Sequence, residues 1–309
     1  MTTLQHKKIP IANLGTFEIS LPLLELGDGN PRVLIINNLH GDELTGFYVL
    51  EKMLSNIPTK ITGTLTIVTT ANPLGLIQKQ RFIPFDDVDL NREYPNPPKA
   101  RGVAAALKDA LLKIAMVHDI IIDLHTFMRP CLSAGLLLPH ENLGHKTLVE
   151  QCLKVCNTDI LLKMDFAKEE KRVTHALGSY LITQNKIVLA IEYQPVRNLT
   201  EYLTDHFAEG LQNVLSELGL FPSIKPRTVT APPLYERQQI INQTTGLFLP
   251  LKPLGSSVKI KEILGHIIDV NTLTRTPIHS PYEGLLIEIA DRQLYRFGEK
   301  LATVGRPVK

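Results

Sequence analysis

Two histidines and one glutamate follow apolar runs of the sequence and carry the side chains that catalytic zinc sites use. His40 and Glu43 form a His-x-x-Glu pair in the stretch NNLHGDELTG, and His125 ends the stretch IIIDLH. Imidazole nitrogen and carboxylate oxygen are good zinc ligands, and a catalytic zinc ion usually takes three protein ligands and a water molecule. Gly41 lets the backbone bend tightly between the first two. The three side chains make a complete ligand set, which predicts a site for one zinc ion per chain.

Each of these motifs alone also fits a simpler role. Asp42 or Glu43 at the start of a helix would favour the helix N-terminus through the helix dipole. A lone histidine such as His125 at a strand end is more often a capping or core side chain that a neighbour satisfies. The two motifs together favour metal binding, because both segments leave predicted buried strands at one edge of a sheet, where such sheets bind ligands.

A third segment, RFIPFDDVDLNREYP, places charged and amide side chains close together in a predicted loop. Arg92 can pair with a carboxylate through two hydrogen bonds, and Asn91 adds a neutral donor beside it. Asp89 has the chemistry to orient a metal-bound imidazole through the free nitrogen of the ring. Solvated arginines beside a turn capped by Asp and Asn side chains are the alternative. The independent indication of a metal site makes us favour substrate binding, with Arg81 as a further cation.

A fourth candidate, Glu192, stands at the carboxyl end of the apolar run 187–191. A carboxylate buried against a core is costly unless it is paired or functional. Beside a zinc ion it can take a proton from a bound water molecule and later deliver it to a leaving amine. The alternative is a role as an ion-pair partner at the strand end.

The elements that must position these residues are visible as short β-branched runs alternating with helix-type segments. The predicted strands are Val33–Asn37, Leu65–Thr70, Ile120–Leu124 and Ile187–Ile191. The predicted helices are Glu43–Leu54, Ala100–Val117, Lys146–Cys156, Thr174–Gln184 and Thr200–Leu218, the last with Gly219 as its stop signal. This alternation predicts an α/β fold with a mostly parallel sheet covered by helices on both faces.

The composition changes after the last predicted helix. A group of prolines marks a linker, consisting of Pro222, Pro226, Pro232 and Pro233. The later phrases GSSVKIKEILGHIIDV and IHSPYEGLLIEI resemble the barrel-sandwich fold of biotinyl and lipoyl carrier domains. Such carriers present a lysine at a hairpin tip, but the stretch Asp269–Pro277 contains none, so a structural or lid-forming module is expected. We predict a catalytic domain over residues 1–222 and a small all-β barrel-sandwich domain over residues 223–309.

Composition narrows the class of protein. The 309 residues are 44% hydrophobic, and the 33 basic and 31 acidic residues form no basic run, so nucleic acid is not an expected partner. No apolar segment has the length of a membrane span, and the N-terminus has no secretory signal, so no membrane partner is expected. Three cysteines in odd number indicate reduced thiols, namely Cys131, Cys152 and Cys156. A cytoplasmic protein is the resulting prediction.

In their order along the chain, these motifs resemble the succinylglutamate desuccinylase and aspartoacylase family, relatives of the zinc carboxypeptidases. That family has H-x-x-E after its first strand, then N-R, then a strand ending in D-L-H, then a strand ending in a catalytic glutamate. It also ends in a small β domain. The resemblance implies a zinc-carboxypeptidase-like mixed sheet and a zinc-dependent amidohydrolase that deacylates a small N-acylated amino acid or a derivative of one.

The resemblance also implies a role for each matching residue. Zinc would be held by His40, Glu43 and His125. Glu192 matches the general base, and Arg81 is placed like the arginine that stabilises the oxyanion. The residues with binding or supporting roles are Asn91 and Arg92 for the substrate carboxylate and Asp89 as the partner of His40. Apart from the resemblance, we expect Tyr282 to be a lid-side contact from the β domain.

One departure from the family pattern follows the predicted base, and two other functions fit the same motifs. The family usually has a small residue and glycine at the positions where this chain has Tyr193 and Gln194, and we expect this change to touch the substrate. A metallocarboxypeptidase acting on peptide C-termini would use the same residues. A catalytically silent binding protein would be expected to lose one of the metal ligands or the base, but this chain has the three predicted ligands and the predicted base. We expect a small-molecule carboxylate as partner and allow for a homo-oligomer.

Overall fold

The computed structural model describes residues 3–84, 86–92, 94–95, 102–165, 174–222, 224 and 230–308. The helices are α1 (Thr45–Ser55), α2 (Pro73–Gln78), α3 (Gly102–Met116), α4 (Leu143–Lys154), α5 (Leu177–Thr183) and α6 (Glu201–Glu217), with a 3₁₀ turn at Val196–Asn198. Within these described ranges, no helix combines the length and apolar character needed to cross a membrane.

Strands of the first part of the chain are β1 (Gln5–Asn13), β2 (Glu18–Asp28), β3 (Arg32–Asn37), β4 (Gly63–Val68), β5 (Ile120–Thr126), β6 (Ala134–Leu137), β7 (Ile160–Lys163) and β8 (Ile187–Tyr193). Those of the second part are β9 (Leu234–Ile241), β10 (Gly246–Pro250), β11 (Ser257–Val258), β12 (Ile263–Ile268), β13 (Arg275–His279), β14 (Gly284–Ile289), β15 (Leu294–Tyr295) and β16 (Lys300–Pro307).

A mixed sheet forms the centre of the molecule. Its strand order over the described residues is β1-β2-β4-β3-β5-β8-β6-β7-β9-β16-β14-β11. The strands β4, β3, β5 and β8 run parallel, and β6 lies antiparallel to β8. The parallel strands are buried on both faces because their residues are almost all apolar. The α/β fold predicted from the alternating elements is confirmed, and the sheet is mixed, as the resemblance implies.

Helices cover the two faces of the parallel strands. Side chains of α1, α4 and α6 pack in one apolar cluster, and those of α3 and α5 pack in another. Successive strand residues alternate between these clusters, so that Ile122 and Leu124 face α1 whereas Ile121 faces α3. By the same alternation, Asp123 and His125 of β5 belong to the α3 and α5 face.

The predicted elements agree with the observed ones to within a few residues. The largest difference that bears on function is the start of α1, which begins at Thr45 with Leu44 as its N-cap, and not at Glu43. Glu43 is drawn out of the helix because its carboxylate contacts two histidines. The helix predicted at Thr174–Gln184 is shorter, and Ala100 of another predicted helix lies outside the described residues. The strands β1, β2, β6 and β7 were not predicted.

The C-terminal part consists of strands, as the sequence predicts, and no helix occurs in residues 230–308. β9 pairs in parallel with β7, and β16, β14 and β11 continue the large sheet. A second sheet has the order β13-β12-β10-β15 and packs on the first through an apolar cluster. The barrel-sandwich fold and the division after residue 222 stay predictions.

Candidate metal centre and substrate cavity

His40, Glu43 and His125 meet at the carboxyl end of the parallel strands. Nδ1 of His40 lies 2.6 Å from Oε1 of Glu43, and Nδ1 of His125 lies 3.0 Å from Oε2 of the same carboxylate. The backbone N–H of Thr126 also donates to Oε2, at 2.9 Å. All three side chains are buried. Two segments separated by about eighty residues thus bring a histidine-glutamate-histidine set together, as the sequence predicts.

His40 and Glu43 lie on the loop after β3. Two features shape this loop: a residue with left-handed backbone conformation, Asn38, and the close approach of Gly41 to the backbone of Gly75. Asn38 has φ of 60°, and its side-chain amide donates to the carbonyl oxygens of His40 and Glu43 at 2.9 and 3.0 Å. Gly41 was expected to permit a tight bend. The structure gives another reason for glycine, because a Cβ there would lie 2.0 Å from the backbone carbon of Gly75.

Each histidine directs its second ring nitrogen to an aspartate. Nε2 of His40 lies 3.1 Å from Oδ1 of Asp89, and Nε2 of His125 lies 3.0 Å from Oδ2 of Asp123. Metal-binding histidines almost always donate their other N–H to a carboxylate, a carbonyl or water, which fixes the ring. Asp89 therefore contacts His40, and its support of a metal-bound ring stays a prediction. Asp123 was not predicted, although its place two residues before His125 on a strand puts both side chains on one face.

The chemistry of these donors fits a divalent metal ion. One ligand atom from each of the three residues can be chosen so that all lie within 4.8 Å of one another, and no other such group occurs among the described residues. Two imidazoles and one carboxylate, all buried, are a donor set that a zinc ion would accept. His40, Glu43 and His125 would hold the ion.

The electrostatics of the cluster favour ionised carboxylates beside the imidazoles. Burial pushes the pKa of Glu43 upward, but His40 and His125 outweigh burial and hold this pKa well below its ordinary value. Burial also opposes ionisation of Asp89, and there too the hydrogen bond and charge of His40, together with Arg81, lower the pKa. Both acids are anionic over the usual pH range, as a metal ligand and its supporting partner must be.

Glu192 stands beside His125 in the sheet and lines the same cavity. The two residues are register partners on β8 and β5. Burial raises the pKa of Glu192 above its ordinary value, and the nearby carboxylates of Glu43 and Asp123 add to this rise while the histidines oppose it. A raised pKa is the property expected of a carboxylate that exchanges protons near neutral pH.

Arg81, Asn91 and Arg92 lie around the same cluster. Nε of Arg81 donates to Asp89 at 3.1 Å, and its guanidinium lies 3.5 Å from Glu43. Asn91 is buried, with its amide nitrogen 3.2 Å from Nε2 of His125. All three residues line the cavity, as the sequence predicts, although contact of any of them with a substrate stays a prediction.

The cavity itself has a volume of about 200 Å³. Its walls include the three predicted ligands, Glu192 and the two arginines, and also a residue that the sequence did not point to, Arg237. Arg237 lies on β9, far along the chain, and alternates with Glu236, which pairs with Lys163 and Arg306. Only the three-dimensional pairing of β9 with β7 brings this arginine to the site.

Two sequence expectations are not met by the placement of their residues. Tyr282 packs against the C-terminal apolar cluster and is not among the cavity-lining residues. Tyr193 was expected to touch the substrate, but it is fully buried on the other face of β8, with its ring 4.9 Å from that of Phe207. Because neighbouring strand residues point to opposite faces, the residue after Glu192 faces the α1 and α6 core.

Comparisons with known proteins agree with this architecture. A family model for the succinylglutamate desuccinylase/aspartoacylase catalytic domain matches residues 29–218. N-alpha-acetyl-L-2,4-diaminobutyric acid deacetylase of Halomonas elongata is 29% identical over 125 residues, which cover 38% of this chain and 36% of that protein. The match thus spans about a third of this relative's length.

Two solved structures resemble the whole chain. The crystal structure of an aspartoacylase family protein from Mesorhizobium loti has a TM-score of 0.82 at 21% identity, covering 100% of this chain and 95% of that one. The product-bound ectoine utilization protein EutE (DoeB) from Ruegeria pomeroyi has a TM-score of 0.84 at 18% identity, covering 98% and 94%. These likenesses show the fold, and the family model covers more than half of the sequence. The chain belongs to the succinylglutamate desuccinylase/aspartoacylase family.

Proposed function

We propose that this protein is a zinc-dependent hydrolase that removes the acyl group from a small N-acylated amino acid or amino-acid derivative. The observation that carries the proposal is the convergence of His40, Glu43 and His125 in one buried cluster, with Glu192 beside it in the same cavity. The Halomonas relative is named as a deacetylase of an N-acetylated amino acid, and membership of the family supports the same reaction class.

The arginine side of the cavity would bind and orient the substrate. Arg92 and Asn91 would receive a free carboxylate, the arginine through charge-assisted hydrogen bonds. Arg81 lies near Glu43 and would stabilise negative charge that develops on the carbonyl oxygen. A bound divalent ion supplies Lewis-acid polarisation and a lowered pKa for the attacking water.

Glu192 would move the proton. As a carboxylate it would take a proton from the attacking water, and as a carboxylic acid it would deliver that proton to the departing amine nitrogen. The amide C–N bond breaks, water adds across it, and the products are a carboxylic acid and an amine. The raised pKa of Glu192 suits both halves of this exchange, because the group must be able to hold the proton between the two steps.

The size of the cavity favours this reaction over peptide trimming. A volume of about 200 Å³ lies below the roughly 300–1,000 Å³ of pockets for drug-sized ligands. A small acyl amino acid fits this space better than an extended peptide does. The presence of all three ligand side chains and of Glu192 argues against a silent binding protein.

The deciding experiment measures metal content and hydrolysis on the same samples. The samples are the wild type, His125→Ala and, as a control, a substitution of the exposed His6 to alanine. We expect about one zinc ion per chain in wild type and control, lost in His125→Ala together with hydrolysis of N-acetyl or N-succinyl amino acids. Release of C-terminal residues from tripeptides, without deacylation, would favour the carboxypeptidase. A wild type that stays inactive after zinc is added back would overturn the proposal.

A further inference from the structure

Helix α3 carries a lysine on its buried face. The residues that α3 buries are otherwise apolar, and they include Ala104, Leu107, Leu111 and Ile114. Lys108 shares this face and is only 2% exposed. Burying an ammonium group costs several kcal/mol unless other groups compensate it. An apolar residue of the same length would fill this position more easily, so the lysine needs an explanation beyond packing.

The ammonium group of Lys108 contacts the loop that carries Asn91 and Arg92. Nζ donates a hydrogen bond to the backbone carbonyl oxygen of Arg92. It also lies 4.9 Å from the centre of the Tyr94 ring, a cation–π distance. These two contacts connect the interior of the helix layer to the main chain of a residue that lines the cavity.

The same loop is fixed by hydrogen bonds on either side of Arg92. The backbone N–H of Asn91 donates to Oδ1 of Asp89 at 2.9 Å, and that of Tyr94 donates to the carbonyl of His175 at 3.0 Å. Between these points, the Arg92 guanidinium bends back to the carbonyl of Asn91 at 2.6 Å. The guanidinium is thus bound to the carbonyl of Asn91, and Lys108 binds the next carbonyl along the chain, that of Arg92.

We propose that Lys108 is a positioning residue for substrate recognition. From helix α3 it fixes the carbonyl of Arg92, so that the guanidinium of Arg92 faces the cavity. The inference rests on the proposed function, because it assigns Arg92 to the substrate carboxylate. This positioning acts on binding of a carboxylate and not on the chemical step at Glu192.

The test compares Lys108→Met with Lys113→Met, a control on the same helix whose side chain is 75% exposed. Methionine is apolar and of similar length, so a lysine that only filled space would be replaced with unchanged or increased stability. We expect Lys108→Met to fold with unchanged zinc content. Its KM for an N-acyl amino acid should rise roughly tenfold or more, the loss expected for a hydrogen bond to a charged group, while kcat changes less than threefold.

A double-mutant cycle separates positioning from general damage. In an Arg92→Met background, the further change Lys108→Met should raise KM by less than twofold, because the residue through which Lys108 acts is gone. When the carboxylate of the substrate is replaced by a carboxamide, Lys108→Met alone should likewise raise KM by less than twofold. Additive losses in the cycle, or an equal loss on the carboxamide, would overturn the proposal.

A second measurement does not depend on hydrolysis. Modification of Arg92 by phenylglyoxal, followed by mass spectrometry of the peptide that contains it, reports how this side chain is held. We expect its rate to change at least threefold in Lys108→Met and to stay constant in Lys113→Met. Equal rates in all samples would refute the role of Lys108. If the wild type hydrolyses no N-acyl amino acid, the proposed function fails, and the phenylglyoxal rates alone then decide the role of Lys108.

Discussion

Oδ2 of Asp123 lies 3.0 Å from Nε2 of His125, and the two residues are separated by one position on the same strand. The carboxylate holds the ring so that Nδ1 faces Glu43. Because the strand fixes both side chains on one face, this pair is set before any metal arrives. The geometry leads to a direct expectation for metal affinity.

Replacing Asp123 by asparagine should weaken metal binding about 10–100-fold, the usual effect of losing a carboxylate partner behind a histidine ligand. Competition with a chromogenic chelator measures the affinity. Asp109→Asn is the matched control, since that side chain is 61% exposed on α3. Equal zinc affinity in the two variants would mean that Asp123 does not support His125.

Glu192→Gln should lower kcat by about 10²–10⁴, because glutamine cannot carry the proton between water and leaving amine. Zinc content should be unchanged, since Glu192 is not among the three grouped ligand residues. Steady-state kinetics with metal analysis on the same sample checks both statements. The exposed Glu283 supplies a control of the same chemistry. A kcat within tenfold of wild type would exclude Glu192 as the base.

Arg237→Gln should raise KM roughly tenfold with a smaller change in kcat. The reason is charge: three arginines line the cavity against the carboxylates of Glu43, Asp123 and Glu192, so a bound divalent ion leaves an excess of positive charge that attracts an anionic substrate. Kinetics at two salt concentrations test this, because the difference from wild type should shrink as salt screens the field. Arg292→Gln, an exposed site, should match wild type.

Gly41→Ala should destabilise the protein by about 1–3 kcal/mol and weaken zinc retention, because its Cβ would meet the backbone of Gly75 at 2.0 Å. Urea unfolding at constant pH measures the loss. Gly144→Ala in α4 is the comparison, since its new Cβ would meet only the side chain of Asn142, at 3.2 Å. Alanine there should be neutral or slightly stabilising. A Gly41→Ala protein as stable as wild type would show that α2 can move away.

Stability should fall with acid partly because of His118, which is buried with Nδ1 against the carbonyl of Ile114 at 2.8 Å and Nε2 against Thr66 Oγ1 at 2.9 Å. Burial lowers the pKa of His118 and outweighs the hydrogen bond to Ile114, which raises it. The unfolded chain therefore takes up this proton first. The stability from neutral His118 is complete above the unfolded pKa of about 6.5 and is lost as pH falls through the folded one.

His118→Gln should accordingly flatten the decline of unfolding free energy between about pH 7.5 and pH 5. Urea unfolding at several pH values, with wild type and variant in parallel, gives this slope. The exposed His6, changed to glutamine, should leave the slope as it is in wild type. An unchanged slope in His118→Gln would assign the acid sensitivity to other groups.

Much of the site could be predicted because its residues follow strands with strong patterns. The runs Val33–Ile36, Ile120–Ile122 and Ile187–Ile191 are continuous and apolar, which marks strands buried on both faces, and parallel strands end at one edge of the sheet. Local spacing then supplies the ligand set. The same rule of alternation could have identified Asp123, two positions before His125.

Other features depend on contacts that sequence spacing does not encode. Arg237 lies in a polar stretch of β9 whose sequence looks like that of a solvent-facing strand. Only the pairing of β9 with β7 places Arg237 at the cavity. Lys108 interrupts an apolar helix face, and nothing in its own helix indicates the carbonyl that it binds. For Tyr193 the sequence misleads. Its position next to Glu192 suggested contact with a substrate, but the alternation of the strand places its side chain in the core.

The pairing of β7 with β9 also has a consequence for synthesis on the ribosome. Some seventy residues separate the two strands, so at typical elongation rates β7 waits several seconds for its neighbour. During that interval its backbone N–H and C=O groups are unpaired on one side, and an open edge of this kind recruits other chains. The yield of folded protein would then depend more on a chaperone that covers this edge, or on wider spacing between neighbouring nascent chains, than on the stability of the folded protein.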